Sequence, residues 1–343
     1  MKNTILLSLC IFVIGQFAFS QANDSSAVYY KKGIQEKDAR RWMVAFNNLQ
    51  KSVQYDSNNV NAERELGLVS LELRKYGNAE IAFTKVLSIQ KDDTTAIVNL
   101  ANLNFWTHQW KPAIAYAQKA QQLKAGKGWN YVIAKSYYQQ EDYGQAFKYF
   151  QLASKEDSTN AEIPYLLARA FVDMNNYKAA VPFFQKAIAL DSSKVQWMYE
   201  FALVLATIPN DKMAIQYYLL AADKGYKIDN DYYENLADSY IAMGEGQKAV
   251  DLMLKVLDKK PADLVLLYGV ADAYYRMKKY QEAIDYWDKI LFYDKENSKA
   301  LYMIGMAYQK KGDTDKGRQL CDRAIAMDPS LKNLKQERGS MGL

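Results

Sequence analysis

The chain is poor in the residues that most active centres and disulfide-stapled domains need. It has two cysteines, one histidine and six prolines in 343 residues. One of the cysteines, Cys10, falls in an N-terminal stretch that reads as a leader. Export would leave only Cys321, in a column held mostly by large apolar or aromatic residues such as Phe, Tyr and Leu, and no disulfide could close within the mature chain. The lone His108, in THQW, reads as an exposed turn residue rather than a ligand or base. There is no glycine-rich phosphate loop and no GxSxG elbow, and Gly244 and Gly246 in AMGEGQ read as a turn between helices. Carboxylates are abundant, but no two are placed as an acid–base pair. These absences argue against an enzyme and call for no cofactor and no metal.

Charge of one sign is missing too. There are 44 lysines and arginines against 39 aspartates and glutamates, and removal of Lys2 with the leader leaves 43 against 39. A balance this even does not point to nucleic acid. After the first twenty residues no apolar run has the length of a membrane span.

The leader itself is Met1–Ser20, MKNTILLSLCIFVIGQFAFS. Lys2 opens it, an apolar run follows from Ile5, and Ala18-Phe19-Ser20 offers small residues for cleavage before Gln21, the pattern of a secretory signal peptide. Leu9 before Cys10 does not suit lipid attachment. The expected product is an exported, bacterial-type protein, periplasmic or secreted, with residues 21–25 as a short lead.

What the chain has in quantity is small and aromatic residues at fixed spacing. Small residues fall at Ala45, Ala79, Ala113, Ala146, Ala180, Ala214, Ala249, Ala283 and Gly317, at steps of 34 residues broken only by one step of 33 and one of 35. A second small series, from Gly33 through Ala168 to Gly305, runs twelve residues ahead of the first. Around Ala180, Leu167, Ala168 and Phe171 share one helical face and Ala180, Phe184 and Ala187 another, with Asn175 and Asn176 between them to reverse the chain. Each unit is therefore a hairpin of two short amphipathic helices. Helices of about 14 residues are marginal alone, so their stability must come from their neighbours. The small residues let helix axes come within roughly 8–10 Å.

This pattern resembles the tetratricopeptide repeat (TPR), a 34-residue unit with a small-residue first helix and an Ala/Phe/Ala second helix ending near Pro. Pro261 and Pro329 mark such ends, while the family's Trp at the fourth position is absent, with Tyr29, Ile97 and Met198 among the residues there. The resemblance spans residues 26–330 as nine units starting near 26, 60, 94, 127, 161, 195, 230, 264 and 298. It implies an all-α fold, a right-handed superhelical α-solenoid of about nine TPR hairpins in one continuous array. Residues 331–343, with Leu331 and Leu334, would form a C-terminal cap and tail.

In this family the first helices line a concave groove through unit positions 2, 5, 9, 12 and 13. The resemblance thus places Tyr131, Tyr165, Tyr199, Tyr268 and Tyr302 there, with Tyr138 and Tyr275 further along their helices. Such rings suit an extended peptide or stacking on sugars, and they suit packing between repeats equally well. Lys135 and Arg169 would make a basic patch, with Asp173 nearby, and Asp231, Glu234, Asp238 and Asp272 an acidic stretch, either as solvated faces or as the two ends of a polar peptide site. The Lys/Asn clamp of some TPR proteins is not supported, because Asn102 has Val98 where its partner should be. The expected function is a non-enzymatic protein- or peptide-binding scaffold or adaptor. The alternatives are a carbohydrate-associated module of cell-envelope polysaccharide assembly and a structural spacer.

Overall fold

The structure is a computed structural model that describes residues 24–332. The expectations for the leader and for most of the C-terminal tail lie outside the described residues. Every regular element among the described residues is a helix, and the chain divides into two compact units, one ending at Ile163 and the other beginning at Pro164. The first holds α1 (24–38), α2 (Trp42–Tyr55), α3 (Val60–Glu72), α4 (Tyr76–Ile89), α5 (Thr94–Trp106), α6 (Trp110–Gln122), α7 (Trp129–Gln139) and α8 (Tyr143–Glu156). The boundary falls just inside α9 (Glu162–Asp173). The second unit continues with α10 (Tyr177–Leu190), α11 (Val195–Thr207), α12 (Asp211–Asp223), α13 (Asn230–Ala242) and α14 (Gly246–Leu257), then α15 (Leu264–Arg276), α16 (Tyr280–Tyr293), α17 (Ser298–Lys311) and α18 (Thr314–Met327).

Within each unit, helices adjacent in sequence pack on one another, two to a hairpin. None of the described helices is long and apolar enough to cross a membrane. The 34-residue columns are the physical basis of this arrangement. Ala45, Ala79, Ala113 and Ala146 have no exposed surface, and neither do Ala180, Ala214, Ala249 and Ala283. Large side chains of the second helices, Phe83, Phe150, Phe184 and Tyr218, are buried against them to within 1%. The second small series lies against that aromatic column. A Cβ on Gly67 would fall 2.6 Å from the Phe83 ring, and one on Gly33 would fall 2.7 Å from Leu49. Methyl-sized or smaller side chains are therefore a packing requirement at these places.

Helix starts follow local hydrogen bonding. Asn59, Asp93, Asp229 and Asn297 each accept from the backbone N–H three residues on, and Asp263 accepts from two. This is N-cap chemistry. The hairpin turns share another device, one residue in the left-handed region: Arg40, Arg74, His108, Glu141, Asn175 and Lys278 have φ between 55° and 61°, and Gly244 and Gly312 do the same work. Gly246 is not part of that turn. It opens α14, buried, where a Cβ would crowd Met277 at 3.0 Å.

Candidate functional site

The first-helix residues singled out above are mostly engaged with one another, from one hairpin to the next. In the first unit, Lys37 pairs with Glu65 at 2.7 Å and Arg64 with Asp93 at 2.6 Å. Lys135 pairs with Glu162 at 2.8 Å and donates to the Tyr131 hydroxyl at 3.1 Å. Burial, reinforced by Glu162, holds the Tyr131 hydroxyl well above the usual phenol range. Tyr138 lies with its ring 6.1 Å from that of Tyr143.

In the second unit, Glu200 of α11 accepts from the Tyr165 hydroxyl at 2.9 Å and pairs with Arg169 at 3.3 Å. The Tyr165 ring stacks on Trp197 with centroids 4.4 Å apart and planes 11° apart. Burial, then the nearby Glu200 charge, pushes the Tyr165 hydroxyl up to about 12. Asn235 of α13 donates to the Tyr199 hydroxyl at 3.0 Å, and the Tyr199 ring stacks on Tyr226 at 4.5 Å. Further on, Tyr268 of α15 donates to Asn297, the cap of α17, at 2.5 Å. Asp272 accepts from Arg276 of its own helix at 2.8 Å, and Tyr275 packs edge-on to Tyr280. Asp173 is exposed at the end of α9.

Two of the expected groove rings present almost no surface. Tyr302 is 2% exposed and Tyr199 8%. The Tyr302 ring joins the apolar cluster around Trp287, Met303 and Ile304, and Tyr199 sits among Tyr218, Tyr226 and Tyr232. Correcting the sequence expectation, these two rings belong to the core, where burial of aromatic area outweighs exposure of a hydroxyl. Cys321 is buried, with its thiol 3.6 Å from the Tyr302 carbonyl oxygen. His108 lies in its turn, stacked on Trp110 at 4.9 Å.

The carboxylates of α13 behave differently. Asp231, Glu234 and Asp238 stand three and seven residues apart and so share one helical face. None of them forms an ion pair among the described residues, in contrast to Lys135 and Arg169. Partial burial, then repulsion from Asp263 and Asp231, raises the Glu234 carboxyl above its ordinary value. Loss of solvent raises that of Asp238 even though the residue as a whole is exposed. Lys260 acts on Glu234 from a distance and only partly offsets this, so an incoming cation would find the face already desolvated in part and without a direct ion pair.

The sequence reading missed Glu200, Asn235 and Trp197, which complete the ladder from the following hairpin. Polar residues one place after the tyrosine column, Glu65, Glu200 and Asn235, were the available signal. It also passed over Trp106, 60% exposed at the end of α5. Among the described residues no group of three His, Cys, Asp or Glu could hold a metal ion.

A family model described as tetratricopeptide repeat matches residues 165–227, 234–294 and 268–331. One described as anaphase-promoting complex, cyclosome, subunit 3 matches residues 108–187. No curated protein matches the chain. Among solved structures, the C-terminal part of a TPR repeat-containing protein from Cytophaga hutchinsonii is 20% identical, over 67% of this chain and 94% of that one, with a TM-score of 0.51. YrrB, described as a TPR protein with an unusual peptide-binding site, is 20% identical over 52% of this chain and 92% of its own, with a TM-score of 0.44. PilF of Pseudomonas aeruginosa is 20% identical over 61% and 94%, with a TM-score of 0.40.

Proposed function

We propose that the chain, whose residues 165–227 and 234–331 match the tetratricopeptide-repeat model, works without catalysis, as a scaffold holding an extended basic segment of a protein partner against the first-helix face of α13 and α15. The observation that carries this is the row of Asp231, Glu234 and Asp238, whose carboxylates form no direct ion pair among the described residues, unlike the other first-helix charges, with Lys260 acting on Glu234 only from a distance. Lysine or arginine side chains would supply direct partners and relieve the repulsion that adds to burial in raising Glu234. Rigid helical hairpins lose little entropy on binding, so many modest contacts can add up to a useful affinity. Peptide is favoured over a sugar ligand because the ring faces best suited to stacking, Tyr165 and Tyr199, are already covered by Trp197 and Tyr226. The scaffold would act outside the cytoplasm, which the leader-like Met1–Ser20 supports.

Fluorescence anisotropy with a lysine-rich unstructured peptide tests the site. The peptide should bind the unmodified chain, and Asp238→Lys should weaken it about threefold to tenfold. Binding that ignores Asp231→Lys and Asp238→Lys would place the peptide away from α13, and absence of binding to the unmodified chain would leave the spacer reading in its place. N-terminal sequencing of the protein recovered from cell fractions tests export, which predicts a mature chain beginning at Gln21.

A further inference from the structure

The connection from α6 to α7 is built differently from those before it. It runs for six residues, 123–128, against four between α2 and α3 and four between α4 and α5. Its course is set by Trp129. The indole N–H donates to the Ala125 carbonyl oxygen at 2.6 Å, and Gly126, at φ 77°, passes so close that a Cβ would meet the ring at 3.0 Å. Lys124 and Lys127 are left exposed on this loop.

Together with the end of α8, this loop borders an open cleft of about 780 Å³, within the size range of ligand-binding clefts. Lys124 and Lys127 line it, and so do Glu156, Asp157 and Asn160. Opposite charges thus share one cleft, yet among the described residues none of the four charged groups forms an ion pair, whereas nearby Lys119 and Lys135 both do. The two carboxylates are held in place by other bonds. Glu156 accepts from Asn130 through Oε1 at 2.5 Å, and Asn130 in turn accepts from Gln121 at 2.9 Å. Asp157 accepts from the Thr159 hydroxyl at 2.7 Å and from its backbone N–H at 3.0 Å, which keeps its carboxyl below the usual carboxylate range. Asn160 accepts from the Glu162 N–H through Oδ1, so its NH₂ remains a donor.

We propose that this cleft binds a short zwitterionic peptide, with the ligand's terminal carboxylate on Lys124 and Lys127 and its terminal ammonium on Glu156 and Asp157. The site lies in the first unit and does not rest on the acidic face of α13. Charge selects the ligand. Side chains of opposite sign that do not reach each other can both be neutralised by one molecule that carries both signs. A simple anion would gain from the lysines and lose to the carboxylates, and a simple cation the reverse. Size favours a peptide over a single amino acid, because three residues span roughly 10 Å when extended and the cleft has room for them. The Asn160 NH₂ suits a backbone carbonyl between the two ends.

The test is titration calorimetry of the full chain at low ionic strength with triglycine, N-acetyltriglycine and triglycinamide. Triglycine carries both charged ends, and each of the others only one. Saturable binding of triglycine is expected, with either blocked peptide about fivefold weaker or worse. Lys127→Glu, at an exposed loop position, should weaken triglycine about threefold to tenfold, and added salt should do likewise. No saturable binding of triglycine, a blocked peptide that binds as tightly, or an affinity that ignores Lys127→Glu overturns the assignment. Asp238→Lys should leave triglycine binding unchanged, and a loss there would move the peptide to α13 and overturn the cleft.

Discussion

Gly305 and Gly317 mark the closest helix approach that the glycines make, and their surroundings set what a single methyl does there. A Cβ on Gly305 would lie 2.6 Å from the Cys321 thiol and 2.7 Å from the Gly317 carbonyl oxygen. The second of these is backbone and cannot rotate away. Gly305→Ala should therefore destabilise the α17–α18 hairpin by about 1–3 kcal/mol despite the better helix propensity of alanine. Chemical denaturation followed by circular dichroism would measure it; a stability equal to or above that of the unmodified chain would contradict the packing account. Charged pairs at the same scale do less. The Arg169 and Glu200 side chains remain 37% and 19% exposed, so solvent screens them. A double-mutant cycle with Arg169→Ala and Glu200→Ala should return a coupling below about 1 kcal/mol. The ladder of polar contacts fixes register more than it holds the hairpins together.

Turns and helices carry the next level of specification. Lys278 occupies the left-handed region at φ 61° in an exposed turn, where Gly244 and Gly312 serve the equivalent hairpins. Lys278→Gly should then raise stability by about 0.5–1 kcal/mol, since glycine removes the Cβ clash and gives back only part of that gain through unfolded-state entropy. A lower melting temperature would show that the lysine contributes something else. The left-handed turns explain what was legible beforehand. Asn175 and Gly244 announce a turn chemically, whereas Arg74 and Lys278 adopt the same backbone with no local signature, because the packed helices on either side impose it. Period and small-residue columns were readable because close approach admits few residue types. The engagement of Tyr165 with Trp197 and Glu200 was not, because it joins residues from different hairpins that no local pattern connects. Tyr302 was placed by its column alone, and a column does not register how deeply the last hairpin buries its ring.

For the molecule as a whole, charge is nearly balanced, so attraction to a basic segment has to be a local property of the second unit rather than of the net charge. Local attraction of this kind is weakened by salt, because at about 0.15 M the screening length is about 8 Å. It also fixes the sign of the pH dependence. Glu234 and Asp238 hold their protons to a higher pH than ordinary carboxylates. As pH falls from 7 through that raised range, they become neutral before most surface carboxylates do, and the site loses two of its negative charges. Affinity for the lysine-rich peptide should accordingly decline over the window just above the ordinary carboxylate range, and binding within that window should release protons, because a cation stabilises the ionised form. Calorimetry in two buffers of different ionisation enthalpy reads the protons directly. Asp238→Asn should lower the affinity at neutral pH and flatten the decline, since one of the titrating charges is gone. A variant with unchanged pH dependence, or proton uptake on binding, would place the basic segment away from α13.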